Sequence, residues 1–201
     1  MKNDILSYFD SIIPNPKCEL NYTKDYELLI AVVLSAQCTD KRVNIVTSKL
    51  FSKYDLIKLS NANIKDIEKI LYELGNYHKK SEYIINIAKR LLIDFNGKVP
   101  NDGKYLESLP GVGHKTASVV LAELFNVPTI AVDTHVERVS KRLYIAKEND
   151  NIKTIEKKLK KFLNKEEYNR VNHQLVLFGR YYCKAVKPLC EKCPLKCRVK
   201  E

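Results

Sequence analysis

The chain has no long apolar run. The longest, Leu28 to Leu34, is seven residues, far below the roughly 18 that a membrane-spanning helix needs. Lys2, Asp4 and Asp10 interrupt the first thirteen residues, so an export signal is not expected there. Strand-like alternation is missing except around Thr129 to Val132, and there is neither a solenoid-length repeat nor a low-complexity linker. Acidic residues run short in one region only. From Lys141 to Glu201 there are 17 basic and seven acidic residues, net +10, out of +11 for all 201 residues. Secreted and membrane-spanning classes are therefore excluded as expectations, and a cytoplasmic protein is expected.

The apolar fraction is 45% and the charged fraction 29%, ordinary for a folded protein. The basic C-terminal third is the footprint of a polyanion, either nucleic acid or, less favoured, an acidic membrane surface. Six cysteines without an export signal are expected to stay reduced. Four of them, Cys183, Cys190, Cys193 and Cys197, crowd into 15 residues, which reads as metal or iron–sulfur ligation and not as disulfides.

The dominant period is helical, and the fold class is all-α. Ile5, Leu6, Phe9, Ile12 and Ile13 share one helical face that stops at Pro14-Asn15-Pro16. Asp25 is placed to cap a second helix through Leu34, apolar nearly all round and therefore central. Further helices are expected from Thr39-Asp40, from Asn63 to Gly75, through Tyr83 to Leu92 with a stop at Asn96-Gly97, near Tyr105-Leu106, and from about His114 to Phe125. Later ones start near Asp133, Asn151 and Glu166.

The most informative segment is Leu109-Pro110-Gly111-Val112-Gly113-His114-Lys115-Thr116-Ala117. Glycines permit positive φ and close backbone approach, and N–H groups at the start of the second helix favour an anion. Such a turn can clasp a phosphodiester without reading base sequence; a plain turn between two helices is the alternative. Asp133, eighteen residues beyond Lys115, is most simply a helix N-cap. Gln37, in Ser35-Ala36-Gln37, reads by itself as a surface residue at a helix end.

The Leu-Pro-Gly-Val-Gly-x-Lys-Thr-Ala string matches the helix-hairpin-helix of DNA-repair glycosylases. Leu28 to Asp40, Pro128 to Arg138 and the cysteine tail extend the likeness, so that nearly the whole chain resembles the endonuclease III family. The resemblance implies a two-domain helix-hairpin-helix glycosylase fold. A six-helix barrel domain would span 21–129, with the hairpin near 105–125. A helical domain would combine 1–20 with 130–201 and carry the cysteine loop at 183–197. The implied protein is a monomeric base excision repair enzyme, cytoplasmic and associated with the nucleoid when DNA-bound. It would act on double-stranded DNA containing damaged bases or abasic sites, removing oxidised pyrimidines as a DNA N-glycosylase and nicking the strand as an abasic-site lyase. A monofunctional mismatch glycosylase of the same superfamily would lack the nucleophilic lysine. A non-catalytic helix-hairpin-helix DNA-binding protein would need neither Lys115 nor Asp133.

By the same resemblance, Lys115 and Asp133 are the catalytic pair. A neutral lysine amine can attack the sugar C1′ and form a Schiff base, while Asp133 places negative charge against an oxocarbenium-like transition state. Gln37 enters the space the extruded nucleotide vacates. Gly111, Val112 and Gly113 form the DNA clasp. The family often has an apolar wedge where this chain has Asn76, so Asn76 or Tyr77 is the wedge candidate. Lys187 and Lys192, in and beside the cysteine loop, are phosphate contacts. The four cysteines hold a [4Fe–4S] cluster or, alternatively, a structural zinc. Their last gap, three residues between Cys193 and Cys197, is shorter than the five usual in the family.

Overall fold

The computed structural model describes residues 1–200, the side chain of Lys200 excepted. It is helical with no strand among the described residues. Two compact units divide the chain: residues 18–125 form one, and residues 1–17 with 126–201 form the other. The sequence-based edges were 21 and 129. Leu20 and Cys18 pack into the core of the central unit, while the Asn126 side chain accepts from Asn169 Nδ2 at 3.1 Å in the other.

The central unit holds α2 (Asp25–Leu34), α3 (Asp40–Lys53), α4 (Leu56–Ser60), α5 (Ile64–Leu71), α6 (Tyr77–Phe95), α7 (Gly103–Ser108) and α8 (His114–Phe125). α2 is its core, with every residue from Leu28 to Leu34 buried, each large apolar side chain contributing roughly 1.5–3 kcal/mol. Asp25 is the first residue of α2, not its cap. Its carboxylate accepts from the Val99 N–H at 2.8 Å. The N-terminus is closed instead by Glu27, whose Oε2 accepts from the backbone N–H groups of Thr23 and Lys24 at 2.8 and 3.2 Å. α5 ends at Leu71, before Gly75, and α6 starts at Tyr77, a turn and a half earlier than its apolar periodicity implied. α4 is a five-residue helix capped by Asp55, too short to show a period.

The second unit contains α1 (Lys2–Ile12), α9 (Thr134–Arg142), α10 (Ile152–Phe162) and α11 (Tyr168–Tyr181), with short 3-10 turns at Lys165–Glu167, Cys190–Lys192 and Arg198–Lys200. Phe178 of α11 is its aromatic centre, 5.0 Å from the Phe9 ring and stacked at 5.8 Å on Tyr182. Asp10 on α1 accepts from Gln174 Nε2 at 2.8 Å and pairs with Arg170. The run Thr129–Val132 is not a strand. The N–H groups of Thr129 and Ala131 donate to the side-chain oxygens of Asn169 and Asn172 at 3.0 and 3.1 Å, so two asparagines one turn apart on α11 replace a strand partner. α9 and α11 pack closely at Gly179, where a Cβ would lie 2.8 Å from His135 Cβ.

Candidate active site

The hairpin is built on α6. Asp102 caps α7, its Oδ1 accepting from the N–H groups of Lys104 and Tyr105 at 2.9 and 3.1 Å. Tyr105 ties α7 to the end of α6: its hydroxyl donates to Asp94 at 2.9 Å and its ring meets Phe95 at 4.6 Å. Burial, then the Asp94 carboxylate, pushes this phenol up to about 12. In the turn, Leu109 and Val112 are buried and anchor the connection from below. Gly111 sits at φ +75°, over the Tyr83 ring of α6; a Cβ there would come within 2.4 Å of Tyr83 Cδ2. Gly113 is exposed, and a Cβ there would meet nothing within 4 Å. α8 begins immediately afterwards, so its first-turn N–H groups face out of the turn, the arrangement that favours a phosphate. Lys115 is exposed in this first turn. Glu107 and His114 bridge the two hairpin helices at 2.8 Å, an exposed contact of small energetic weight.

Asp133 is half-buried and caps α9, its Oδ1 accepting from the N–H groups of His135 and Val136 at 2.9 and 2.8 Å. The capping geometry fixes the carboxylate at the start of the helix, in the second unit, whereas Lys115 belongs to the central one.

Gln37 is exposed in the turn that follows α2, at φ +59°. Asn76 is also at φ +59° and exposed, as the residue preceding α6. Tyr77 is half-buried, packed against the central core, with its ring 5.2 Å from Tyr72 and 4.1 Å from His78. Of the two wedge candidates, Asn76 is therefore the one presented to solvent. A lysine that sequence reasoning missed connects these loops. Lys80 of α6 is buried, and its Nζ donates to the Ala36 carbonyl at 2.8 Å and lies 3.4 Å from Cys38 Sγ.

Cys183, Cys190, Cys193 and Cys197 line one cavity of the second unit, together with Leu143, Phe178 and Tyr182. Among the described residues no charged side chain lines it. Among the described residues no three His, Cys, Asp or Glu side chains are drawn together as a ready metal-holding group. The donor set fits a thiolate-ligated centre all the same: four cysteines lining one apolar pocket are the residue type that both iron–sulfur clusters and tetrahedral zinc use. The loop is tied to α9 by two arginines, also missed from sequence. Arg138 Nε donates to Cys183 O at 3.2 Å, and Arg142 Nη1 donates to Lys184 O at 2.7 Å and reaches Cys183 Sγ at 3.3 Å. Their i, i+4 spacing after the Asp133 cap is visible in the sequence, but their partners lie more than 40 residues away. Lys187 and Lys192 are exposed, Lys187 at φ +51°. The Lys192 carbonyl accepts from Tyr8 Oη at 3.2 Å, which fixes that part of the loop to α1.

Residues 30–165 match the family described as HhH-GPD superfamily base excision DNA repair protein. The chain is 43% identical to endonuclease III of Bacillus subtilis (strain 168) over 194 residues, covering 94% of this chain and 87% of that one. It is 42% identical to endonuclease III of Escherichia coli (strain K12), covering 98% and 95%. Among solved structures it superposes on an endonuclease III trapped as a covalent intermediate with DNA at a TM-score of 0.92, with 45% identity and coverage of 98% and 96%. It superposes on a non-covalent endonuclease III–DNA complex at 0.93, with 45% identity and coverage of 98% and 95%.

Proposed function

The chain belongs to the endonuclease III family of the HhH-GPD superfamily, and from that premise we propose which of its residues carry the reaction and on which bases it acts. It is a base excision repair enzyme, a bifunctional DNA glycosylase and abasic-site lyase whose partner is double-stranded DNA. The substrates are duplexes carrying oxidised pyrimidines or abasic sites, met by a monomer in the cytoplasm at the nucleoid.

Lys115 is the nucleophile. Its neutral amine attacks C1′, the N-glycosidic bond breaks with its electron pair going to the base, and the base takes up a proton as the attacking nitrogen loses one. The nitrogen lone pair then closes an iminium between Nζ and C1′ as the C1′–O4′ bond breaks and O4′ takes up a proton from water. This acidifies C2′, and loss of a C2′ proton expels the 3′ phosphate by β-elimination. Asp133 supplies the negative charge that favours the oxocarbenium-like sugar as the base departs. The Gly111-Val112-Gly113 turn holds the backbone phosphate through N–H groups. Gln37, whose amide both donates and accepts, serves the orphan base, and Asn76 fills the gap beside it. Lys187 and Lys192 add phosphate contacts.

Cys183, Cys190, Cys193 and Cys197 hold a [4Fe–4S] cluster, which braces the basic loop when bound. About four irons per chain on anaerobic metal analysis would support that assignment; one zinc and no iron would overturn it. The single observation that carries the reading is the exposed lysine in the first turn of the hairpin's second helix, beside the phosphate-clasping turn. Borohydride trapping on an abasic-site duplex tests it. The intact chain yields a covalent adduct and Lys115→Ala does not; an adduct formed at the original rate by Lys115→Ala would reject Lys115 as the nucleophile.

A further inference from the structure

Lys80 is one of the few charged residues buried anywhere in the described chain, 4% exposed. It sits in the first turn of α6, where a cation opposes the helix dipole, and no acidic side chain occupies that turn. Local helix energetics therefore do not account for it. Its partners do. The ammonium donates to the Ala36 carbonyl at 2.8 Å and lies 3.4 Å from Cys38 Sγ, so it grips the residues on either side of Gln37. At the other end, the Lys80 backbone N–H donates to the Asn76 carbonyl at 3.1 Å. One residue is thus bonded to both loops whose tips, Gln37 and Asn76, are exposed at φ +59°.

The interaction also supplies a charge that α2 lacks. The last turn of α2 has no basic residue, and the turn after it ends in carbonyls that attract a cation. Lysine meets both needs, with a long stem to cross from one helix to another and three donors at its tip. A buried ammonium held by a carbonyl fixes a loop more firmly than a neutral contact would, because hydrogen bonds with an ionised partner are the stronger ones.

We propose that Lys80 is a positioning residue for lesion recognition: its ammonium sets the Gln37 turn in register with Asn76 so that the two tips enter the damaged site together. This rests on the assignment of Gln37 to the orphan base and Asn76 to the vacated stack. Holding a turn beforehand removes the ordering cost at the moment of binding, so the benefit falls on damaged DNA, where the tips are used, and not on undamaged duplex.

The test uses the full chain with a duplex containing a tetrahydrofuran abasic analogue opposite 2-aminopurine, whose fluorescence reports unstacking of the orphan base. Lys80→Met should lower the affinity ratio of abasic over undamaged duplex by about tenfold, the scale of coupling between side chains sharing a network. It should also suppress the 2-aminopurine rise, while Lys80→Arg retains most of both. In a Gln37→Ala background, Lys80→Met should change the ratio by less than about twofold. Should Lys80→Met fail to fold, Lys80→Gln carries the same comparison with a shorter arm. A ratio unchanged in Gln37→Ala itself would remove the premise, and the inference with it. A reduced ratio in Gln37→Ala beside an unchanged one in Lys80→Met would overturn the inference alone. Equal weakening on damaged and undamaged DNA, undiminished in the Gln37→Ala background, would mean that Lys80 acts only on general stability.

Discussion

Replacing Gly111 by alanine tests whether the hairpin depends on the backbone resting against α6. Two costs arise from the structure. Gly111 is at φ +75°, where an L-residue loses about 1–2 kcal/mol. The new methyl would also stand 2.4 Å from Tyr83 Cδ2 and 2.9 Å from Cε2, inside contact distance of a ring packed against the central core. Such overpacking costs about 1–3 kcal/mol, because the ring must move. Reduced freedom of the unfolded chain returns about 0.4–1 kcal/mol. A net loss of about 1–4.6 kcal/mol is expected, which at a urea dependence near 2 kcal/mol/M lowers the unfolding midpoint by about 0.5–2.3 M. The chain has no tryptophan, so circular dichroism is the probe. Tyr83→Ala separates the two causes: in that background Gly111→Ala should cost only the backbone strain. Affinity for undamaged duplex should fall in Gly111→Ala as well, since the turn proposed to clasp phosphate would be displaced. An unchanged midpoint would refute the close approach, and equal costs in the two Tyr83 backgrounds would refute Tyr83 as its cause.

Asp133→Asn separates capping from chemistry, because asparagine caps a helix as well as aspartate does; stability should stay within a few tenths of a kcal/mol while base release in single turnover slows by orders of magnitude, and a full-rate variant would leave Asp133 as a cap alone. Neutralising Lys187 and Lys192 together should flatten the log–log salt dependence of DNA binding by up to about two units, at −0.9 per phosphate, and weaken damaged and undamaged duplex alike; an unchanged slope would make these lysines plain solvated surface. Burial pushes the His135 imidazole below its ordinary value, and Arg138 Nη2, which can only donate, lies 3.2 Å from Nδ1, so the folded ring is neutral and accepts there. The unfolded chain takes up its proton near pH 6.5 while the folded one resists, so stability should fall as pH drops from about 6.5 through the lower folded value; His135→Gln should flatten that acid slope, and a slope unaltered by the substitution would show that other groups set it.

Periodicity located α8 to the residue and the later helices to within about two positions. Where it failed, the deciding contact was remote or the element was short. α4 offers a single turn, so no period could form. Thr129 to Val132 has the composition of a strand, but its hydrogen-bond partners are Asn169 and Asn172, and nothing in the run itself distinguishes an asparagine side chain from a neighbouring strand. Asp25 looked like a cap because caps are local, yet its carboxylate is taken by Val99, 74 residues on. Within the candidate site, the place of the turn and of Lys115 in the first turn of α8 was legible because both are written in consecutive residues. Lys80 and Arg142 were not, since a lone basic residue on a helix has solvent as its default partner and only the folded chain supplies another.

The second unit takes its core from both extremes of the chain, and this sets a schedule for its birth. As the polypeptide emerges from the ribosome, residues 18–125 become contiguous first and can complete their core around α2. α1 has to wait. Phe9 meets Phe178, about 170 residues later, so at roughly 5–20 residues per second the face formed by Ile5, Leu6 and Phe9 stays uncovered for roughly 8–35 s. That interval exposes a short sticky helix to chaperones and to other nascent chains. The cysteine loop likewise follows, by 184 positions, the Tyr8 hydroxyl that fastens it at the Lys192 carbonyl. A chain interrupted before α11 would hold a complete central unit while Phe9 still lacked Phe178.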